Sequence, residues 1–192
     1  MAELTLAATS PLDRMAPASG SDTVARPIGG LSIATVIARR GQRQALQARA
    51  ADLFGLELPD GPRRVQGRGL AVLGTAPGAW LALAESSDPY WAQGLADSLA
   101  GLASVADQTD AYVGVRLAGP AARDILAKSV GLDLHDTVFP VGAGAVTTAA
   151  HLGLILWRRE TEAFEILSFR SYAESFWHWL VETGADFRFR DL

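Results

Sequence analysis

The sequence predicts an α+β domain made of two βαββα, ferredoxin-like halves that share one core. The first observation is a near-repeat, GLELPD at 55–60 and GLDLHD at 131–136. The second is that each copy follows a run in which apolar residues recur at helical spacing. The third is that a strand pattern precedes each of these helices, while two strand patterns and a helix follow each repeat. Because an arrayed solenoid needs three or more repeats, two copies favour one pseudo-symmetric domain.

The first half, residues 27–104, begins with the β-rich run LSIATVIA at 31–38, which predicts a strand. A helix is predicted over 42–54, and Gly55 ends it. Its core-facing residues are Leu46, Ala50, Leu53 and Phe54. Two strands are predicted at 70–75 and 79–85, around the turn Ala76-Pro77-Gly78. A second helix opens at Asp88-Pro89. Its buried stripe consists of Trp91, Leu95, Leu99 and Leu102.

The second half, residues 105–192, repeats this plan. A strand at 111–118 precedes a helix that Gly119-Pro120 opens and Gly131 ends, as Gly55 ends its counterpart. Strands are predicted within 145–159 and at 163–169. Ser171 and Glu174 form the pattern of a capping box for the last helix. The residues of that helix that are predicted to face the core are Tyr172, Phe176, Trp177, Leu180 and Val181.

Residues 1–26 are rich in Ala, Ser, Pro, Thr and Gly and predict a tail that is either flexible or held along a partner subunit. They show no signal-peptide pattern, and the chain has no cysteine, so we expect a cytoplasmic protein without disulfide, thiolate-metal or thiolate chemistry. The uncharged run 137–157 is interrupted by proline, glycine and histidine, which predicts two buried strands rather than a membrane helix.

The charged residues exclude one class of partner and offer few catalytic candidates. The net charge of −4 argues against nucleic acid as the main partner. The arginine pairs at 39–40, 63–64 and 158–159 are interpreted as solvated surface or salt bridges. Asp107 and Asp110 are spaced like an acid–base pair, but the residues between them indicate a solvated turn.

No constellation in the sequence predicts an active site, a cofactor site or a metal site. The three histidines, His135, His151 and His178, have no ligand partner at zinc spacing. The glycine loop VGAGAV (141–146) matches no phosphate-binding motif and predicts a tight link into a strand. The five tryptophans are expected in the core, with at least one ring available to a partner.

Four motifs give the chain a resemblance to a known family. They are the run from Asp107 to Leu126, GLDLH at 131–135, FPVG at 139–142 and RSYAESFWHWL at 170–180. Together they resemble the gamma subunit of heterotetrameric sarcosine oxidase over residues 105–180. The resemblance is weaker over 27–104, where Gly78 and Ala79 replace acidic residues that often precede the PGAWLAL tryptophan.

The resemblance implies a fold related to the glycine cleavage T-protein and a place in a complex with alpha, beta and delta subunits. FAD, FMN, NAD, tetrahydrofolate and zinc are then expected in the partner subunits, with alpha the most direct contact. The family has no known catalytic group in its gamma subunit, so none is transferred to this chain. The complex would demethylate sarcosine oxidatively, passing the one-carbon unit to tetrahydrofolate or releasing formaldehyde.

Two other interpretations remain open at the level of sequence. One is a standalone folate-binding protein of the related fold, either an aminomethyltransferase or an iron–sulfur maintenance factor. The absence of cysteine disfavours the maintenance factor, whose signature contains one, and aminomethyltransferases are typically much longer. The other is a small-molecule binding domain without an enzyme partner, which no sequence feature favours.

Overall fold

The computed structural model describes residues 9–15 and 17–191. The strands of this part of the chain are β1 (Ala18–Gly20), β2 (Thr23–Ile28), β3 (Leu31–Ala38), β4 (Arg64–Gln66), β5 (Ala71–Ala76), β6 (Ala79–Glu85), β7 (Ala103–Asp107), β8 (Tyr112–Ala118), β9 (Gly144–Ala149), β10 (Leu152–Glu160), β11 (Ala163–Phe169) and β12 (Arg190–Asp191). The helices are α1 (Arg43–Phe54), α2 (Trp91–Ser98), α3 (Ala122–Ala127) and α4 (Ala173–Gly184).

The strands form two antiparallel sheets with the same internal order. The first sheet runs β4-β5-β6-β3-β7, and the second runs β12-β1-β2-β8-β11-β10-β9. The pair β3–β6 in the first sheet corresponds to β8–β11 in the second, and β5 corresponds to β10. This duplication confirms the predicted fold class, two ferredoxin-like α+β halves.

The sheets pack face to face, and each carries two helices on its outer face. Leu46 of α1 and Leu95 of α2 are buried against the first sheet. Phe176 and Leu180 of α4 are buried against the second. Between the sheets lies a third cluster, which joins strands of both halves: Ile33, Ala71, Leu73, Leu81, Leu83, Ile155, Trp157 and Leu167. Burial of each large apolar side chain contributes about 1.5–3 kcal/mol, so this shared core couples the two halves.

Most predicted elements lie where the sequence placed them. The strands at 31–38, 79–85 and 163–169 have the predicted bounds. Gly55 ends α1 in the left-handed conformation, with φ 65°, and its N–H donates to the carbonyl of Ala51. The uncharged run 137–157 contains β9 and most of β10, as predicted. Within the described residues, no helix is long and apolar enough to cross a membrane.

Several local predictions were wrong. The helix α3 ends at Ala127, because Val130 already forms a bridge with Ala149, and Gly131 is not left-handed. No side chain caps α4, since Ser171 lies inside a 3₁₀ turn that precedes the helix. The side chains of Leu53 and Tyr172 are 36% and 48% exposed rather than in the core.

The second helix of the first half is shorter than its apolar stripe suggested. The helix α2 ends at Ser98, and Leu99 occupies its C-cap. Gly101, with φ 78°, then turns the chain into β7, which pairs with β3. The strand β7 spans the predicted boundary between the halves at residue 104 and was not predicted.

The structure differs from the predicted tail over residues 1–26, of which 1–8 and 16 lie outside the described residues. A 3₁₀ turn at Pro11–Arg14 buries Leu12 in the core beneath α4. The strands β1 and β2 complete the second sheet, where Ala18 and Ala25 are fully buried. The segment from residue 17 onward is therefore part of the domain's own sheet, although it precedes the first half in sequence.

Candidate functional site

The two carboxylates singled out by sequence lie at the turn between β7 and β8 and line one surface pocket. Asp107 ends β7, and its Oδ1 accepts a hydrogen bond from the backbone N–H of Thr109 at 2.8 Å. The Thr109 hydroxyl in turn accepts from the backbone N–H of Ile33 at 3.1 Å. Asp110 lies in the 3₁₀ turn Thr109–Ala111 that follows. The hydrogen bonding of Asp107 is that of a side chain closing a turn between β7 and β8.

The histidines lie on three separate elements, and all three are exposed. The Nδ1 atom of His135 is 2.9 Å from the Thr137 hydroxyl, within the second repeat. His151 occupies the β9–β10 turn with a left-handed φ of 67°. The Nε2 atom of His178 lies 3.0 Å from Glu182, one turn along α4. Among the described residues, no three metal-ligating side chains come together.

The glycine loop at 141–146 links the two sheets through its backbone. The N–H of Gly142 donates to the carbonyl of Arg158, and the N–H of Gly144 donates to that of Pro62. The carbonyl of Gly142 accepts from the N–H of Arg64 in the opposite sheet. Because these amides already have hydrogen-bond partners, they are not free to bind a phosphate. The loop is a tight link into β9.

The tryptophans fill the core, as the sequence predicted. Trp80, Trp157, Trp177 and Trp179 are each at most 8% exposed, and Trp91 is partly buried. The indole N–H of Trp80 donates to the carbonyl of Pro59 at 2.8 Å. The indole N–H of Trp179 is buried and has no hydrogen-bond acceptor among the described residues. The ring of Trp179 stacks instead on Phe176, with centroids 5.8 Å apart.

A cleft of about 300 Å³ opens at one end of the interface between the sheets, and it concentrates charge. Arg116, Arg159 and Glu165 come from the second sheet, while Arg64 and Glu85 come from the first. Of these residues, only Glu165 is fully buried. The cleft has apolar walls that include Leu70, Ala71, Leu83 and Trp157. Charged side chains of both sheets therefore meet in this cleft.

One row of cross-strand neighbours supplies the charged floor of the second sheet. Its residues, from β2 to β9, are Arg26, Arg116, Glu165, Trp157 and Gly144. The carboxylate of Glu165 accepts from the Nε of Arg116 at 3.0 Å and from the indole N–H of Trp157 at 2.7 Å. A buried charge is tolerated when it is paired and hydrogen-bonded. Glu165 is therefore hydrogen-bonded to both Arg116 and Trp157, and its negative charge balances the positive charge of Arg116.

The other two cleft arginines lack a carboxylate partner among the described residues. A terminal nitrogen of Arg64 donates to Gln66 Oε1 at 2.8 Å, but its Nε is buried without an acceptor. Burial lowers the pKa of Arg64, and the charge of Arg159 lowers it further, while Glu165 and Glu85 raise it. Within the part of the chain that the structure describes, the guanidinium of Arg159 has no hydrogen-bond or ion-pair partner.

Arg158, which precedes Arg159 in the sequence, is buried and has hydrogen-bond and ion-pair partners. Because successive strand residues point to opposite faces, Arg158 leaves the cleft and is buried, with 3% of its surface exposed. It donates to the carbonyl of Phe139 at 3.0 Å and pairs with Asp136 at 2.8 Å. The hydrogen bond from Arg158 lowers the pKa of Asp136. Arg158 thus fixes the loop after the second repeat, and Arg159 faces the cleft.

A comparison with known families decides what kind of chain this is. The model of the family described as "Sarcosine oxidase, gamma subunit family" matches residues 40–186. The chain belongs to this family. The match confirms the resemblance seen in the sequence and extends it into the first half, where the motifs were weaker.

Curated gamma subunits cover most of the chain. The sarcosine oxidase subunit gamma of an Arthrobacter species is 30% identical over 188 residues, which cover 93% of this chain and 90% of that one. The sarcosine oxidase subunit gamma of Corynebacterium sp. strain P-1 is 34% identical over 146 residues, 73% of this chain and 70% of that one.

Solved structures agree with the gamma-subunit assignment. A chain of the heterotetrameric sarcosine oxidase from Corynebacterium sp. U-96, solved with pyrrole 2-carboxylate, superposes with a TM-score of 0.77 at 28% identity, covering 88% of this chain and 87% of that one. The aminomethyltransferase T of the glycine cleavage system from Bartonella henselae gives a TM-score of 0.57 at 17% identity, over 88% of this chain and 47% of that one. The second similarity shows the shared fold alone.

The cleft arginines of this gamma subunit were not predicted from the sequence. The pairs at 63–64 and 158–159 were interpreted as surface charge, without separating the two members of each pair. A signal was present in the strand ending Trp157-Arg158-Arg159, since the two-residue period places Arg159 on the face of the buried Trp157. Arg64 lies opposite this face because of how the two sheets pack. The residue pattern of a single strand does not predict that packing.

Proposed function

We propose that the chain is a non-catalytic, structural gamma subunit of a cytoplasmic, heterotetrameric sarcosine oxidase-like flavoenzyme. The observation that carries the proposal is the match to the Arthrobacter gamma subunit, which spans 93% of this chain and 90% of that one. A match over nearly the full length of both chains supports the same role in an assembly, whereas a shared fold alone would not.

The non-catalytic role is supported by how the candidate groups are used. Asp107 closes a turn, His178 pairs with Glu182, and Glu165 is held by Trp157 and Arg116. Catalytic acids and bases need a position within reach of a substrate atom. Side chains engaged in this way stabilise the fold, so we assign the chemistry to the partner subunits.

In the proposed complex, sarcosine or a related N-methyl amino acid is oxidatively demethylated. The one-carbon unit passes to tetrahydrofolate or is released as formaldehyde. FAD, FMN, NAD, tetrahydrofolate and zinc are held by the alpha, beta and delta subunits, and alpha is the main contact of this chain. The membership of the chain in the gamma-subunit family supports this arrangement.

Purification with and without the partners tests the proposal. The tagged chain is expected to capture alpha, beta and delta subunits when the four are co-expressed, and the captured complex is expected to oxidise sarcosine. The isolated chain is expected to show no visible flavin absorbance and no sarcosine-dependent peroxide formation. A monomer that captures no partner and binds tetrahydrofolate would instead favour the standalone folate-binding alternative.

A further inference from the structure

The charged cleft between the sheets holds two guanidinium groups that the described residues leave without a carboxylate. We propose that this cleft is a binding site for a single carboxylate group, held between Arg64 and Arg159. Its two oxygens would accept from the two guanidinium groups. The inference does not depend on the proposed function, because the site is formed by this chain alone.

The first argument is the distribution of charge. The carboxylate of Glu165 is already bound to Arg116, and the side chain of Glu85 is exposed at the edge of the cleft. Arg159 is close enough to Arg64 that its charge lowers the pKa of Arg64. Bringing two like charges together in a partly buried cleft costs free energy, and a bound anion would remove that cost.

The second argument is unused hydrogen-bonding capacity. The buried Nε–H of Arg64 has no acceptor among the described residues, although buried donors in folded proteins nearly always have one. Leaving such a donor without an acceptor costs about 1–3 kcal/mol, and more when the group is charged. In the proposed arrangement one carboxylate oxygen accepts from this Nε–H and the other from the guanidinium of Arg159, while a terminal nitrogen of Arg64 stays bonded to Gln66.

The composition of the cleft favours a carboxylate over a phosphate. Three arginines (Arg64, Arg116 and Arg159) and two glutamates (Glu85 and Glu165) line it, 3 − 2 = 1 net positive charge, which a monoanion neutralises and a dianion exceeds. The volume of about 300 Å³ is sufficient for a small acid or for one acidic group of a protein chain. The carboxylate can therefore come from a free metabolite-sized acid or from an acidic residue of a companion subunit, and one experiment separates the two.

Titration of the full-length chain with sodium acetate tests the site directly. The Nε–H resonance of Arg64, assigned by its loss in Arg64→Lys, is recorded in ¹H–¹⁵N spectra at constant ionic strength. It is expected to move downfield with acetate, because the proton gains a charged acceptor. Acetamide, which has the same shape without the charge, should leave it in place, and inorganic phosphate should bind more weakly than acetate.

Matched arginine variants make the titration specific. Arg159→Gln is expected to weaken acetate binding about tenfold, since a charged donor is lost. Arg49 is an exposed residue of α1 that does not line the cleft. Arg49→Gln should therefore bind acetate like the unmodified chain. A resonance that does not respond to acetate, responds equally to acetamide, or behaves alike in Arg159→Gln and Arg49→Gln would overturn the site.

Capture of the alpha subunit then identifies the source of the carboxylate. If an acidic residue of alpha enters the cleft, Arg159→Gln is expected to reduce capture about tenfold while Arg49→Gln does not. If the ligand is a free acid, both variants capture alpha normally, although only Arg49→Gln binds acetate as tightly as the unmodified chain. Failure of the unmodified chain to capture alpha would contradict the proposed function and leave the acetate result standing.

Discussion

At the scale of single residues, Gly74 shows how closely the chain segments of the first half approach each other. A Cβ atom at this position would lie 2.1 Å from the carbonyl oxygen of Gly61. The contact is with backbone, which cannot rotate away as a side chain can. Position 74 therefore requires glycine, and the loop at 61 is held against β5 by this approach and by the N–H of Gly74 donating to the carbonyl of Arg63.

Two glycine-to-alanine substitutions are expected to have opposite effects on stability. Gly74→Ala should lower the free energy of unfolding by about 1–3 kcal/mol, because the backbone must shift to admit the new carbon. Gly94→Ala, on an exposed position of α2 with no atom within 4 Å, should raise it by about 0.5–1 kcal/mol, because glycine weakens a helix. Urea denaturation of both variants measures the difference, and equal effects would contradict the close approach of Gly61 to β5.

Sequence patterns predicted the environment of some residues and not of others. The tryptophans were predicted in the core because large apolar rings are rarely exposed, and Trp80 and Trp157 are buried. The cleft arginines could not be placed in the same way. Arg63 and Arg64 are the same residue type, and Arg64 is placed beside the second sheet by backbone contacts with residues 142–144, including the bridge between Arg63 and Ala143.

At the scale of secondary-structure elements, strands with a strong local pattern were predicted accurately. The strand at 31–38 is rich in β-branched residues, and its alternation directs Ile33 and Ala34 into different clusters. The missed strands are short or carry a contrary signal. Pro27 argues against an internal strand, but it lies beyond the end of β1 and pairs on one side only, with Val115 of β8. The strand β7 was missed because Leu99 and Leu102, which precede it, continue the helical spacing of α2. The turn between α2 and β7 was therefore not predicted.

The docking of the N-terminal segment can be tested at Leu12, which is 1% exposed beneath α4. Leu12→Ala is expected to lower the free energy of unfolding of the isolated chain by about 2–5 kcal/mol, because it leaves a cavity in the second core. Leu53→Ala, at a partly exposed position of α1, should cost about 1 kcal/mol or less. Thermal and urea denaturation provide the measurement. An unchanged stability in Leu12→Ala would mean that the segment is held only by a partner.

At the scale of the whole molecule, the two sheets do not correspond to residues 27–104 and 105–192, the two halves predicted from the sequence. The second sheet takes β1 and β2 from the chain before the first sheet begins, and the cluster around Leu73 and Trp157 joins the sheets. The duplication was visible in sequence as the paired repeats. The contribution of β1 and β2 to the second sheet was not predicted from the sequence. The pairing of β2 with β8 joins residues that are far apart in the chain.

This arrangement predicts that the second half does not fold alone. A fragment of residues 108–192 lacks β1 and β2, so one edge of β8 and the core around Ala25 stay open to solvent. We expect it to show no cooperative urea transition and rapid amide exchange in β8. Co-expression with residues 1–107 should restore protection of β8. A cooperative transition of the isolated fragment would contradict the role assigned to the N-terminal strands.

The pairing of β1 between β2 and β12 also has a consequence for how the protein is made. Ala18 lies opposite Asp191, so β1 cannot complete its pairing until residue 191 has been synthesised. The first sheet can close while translation continues, since β3 to β7 are contiguous in the chain. Until β8 has been made, β2 keeps one unpaired edge, and until β12 has been made, β1 keeps one. Unpaired strand edges are the segments most prone to wrong association.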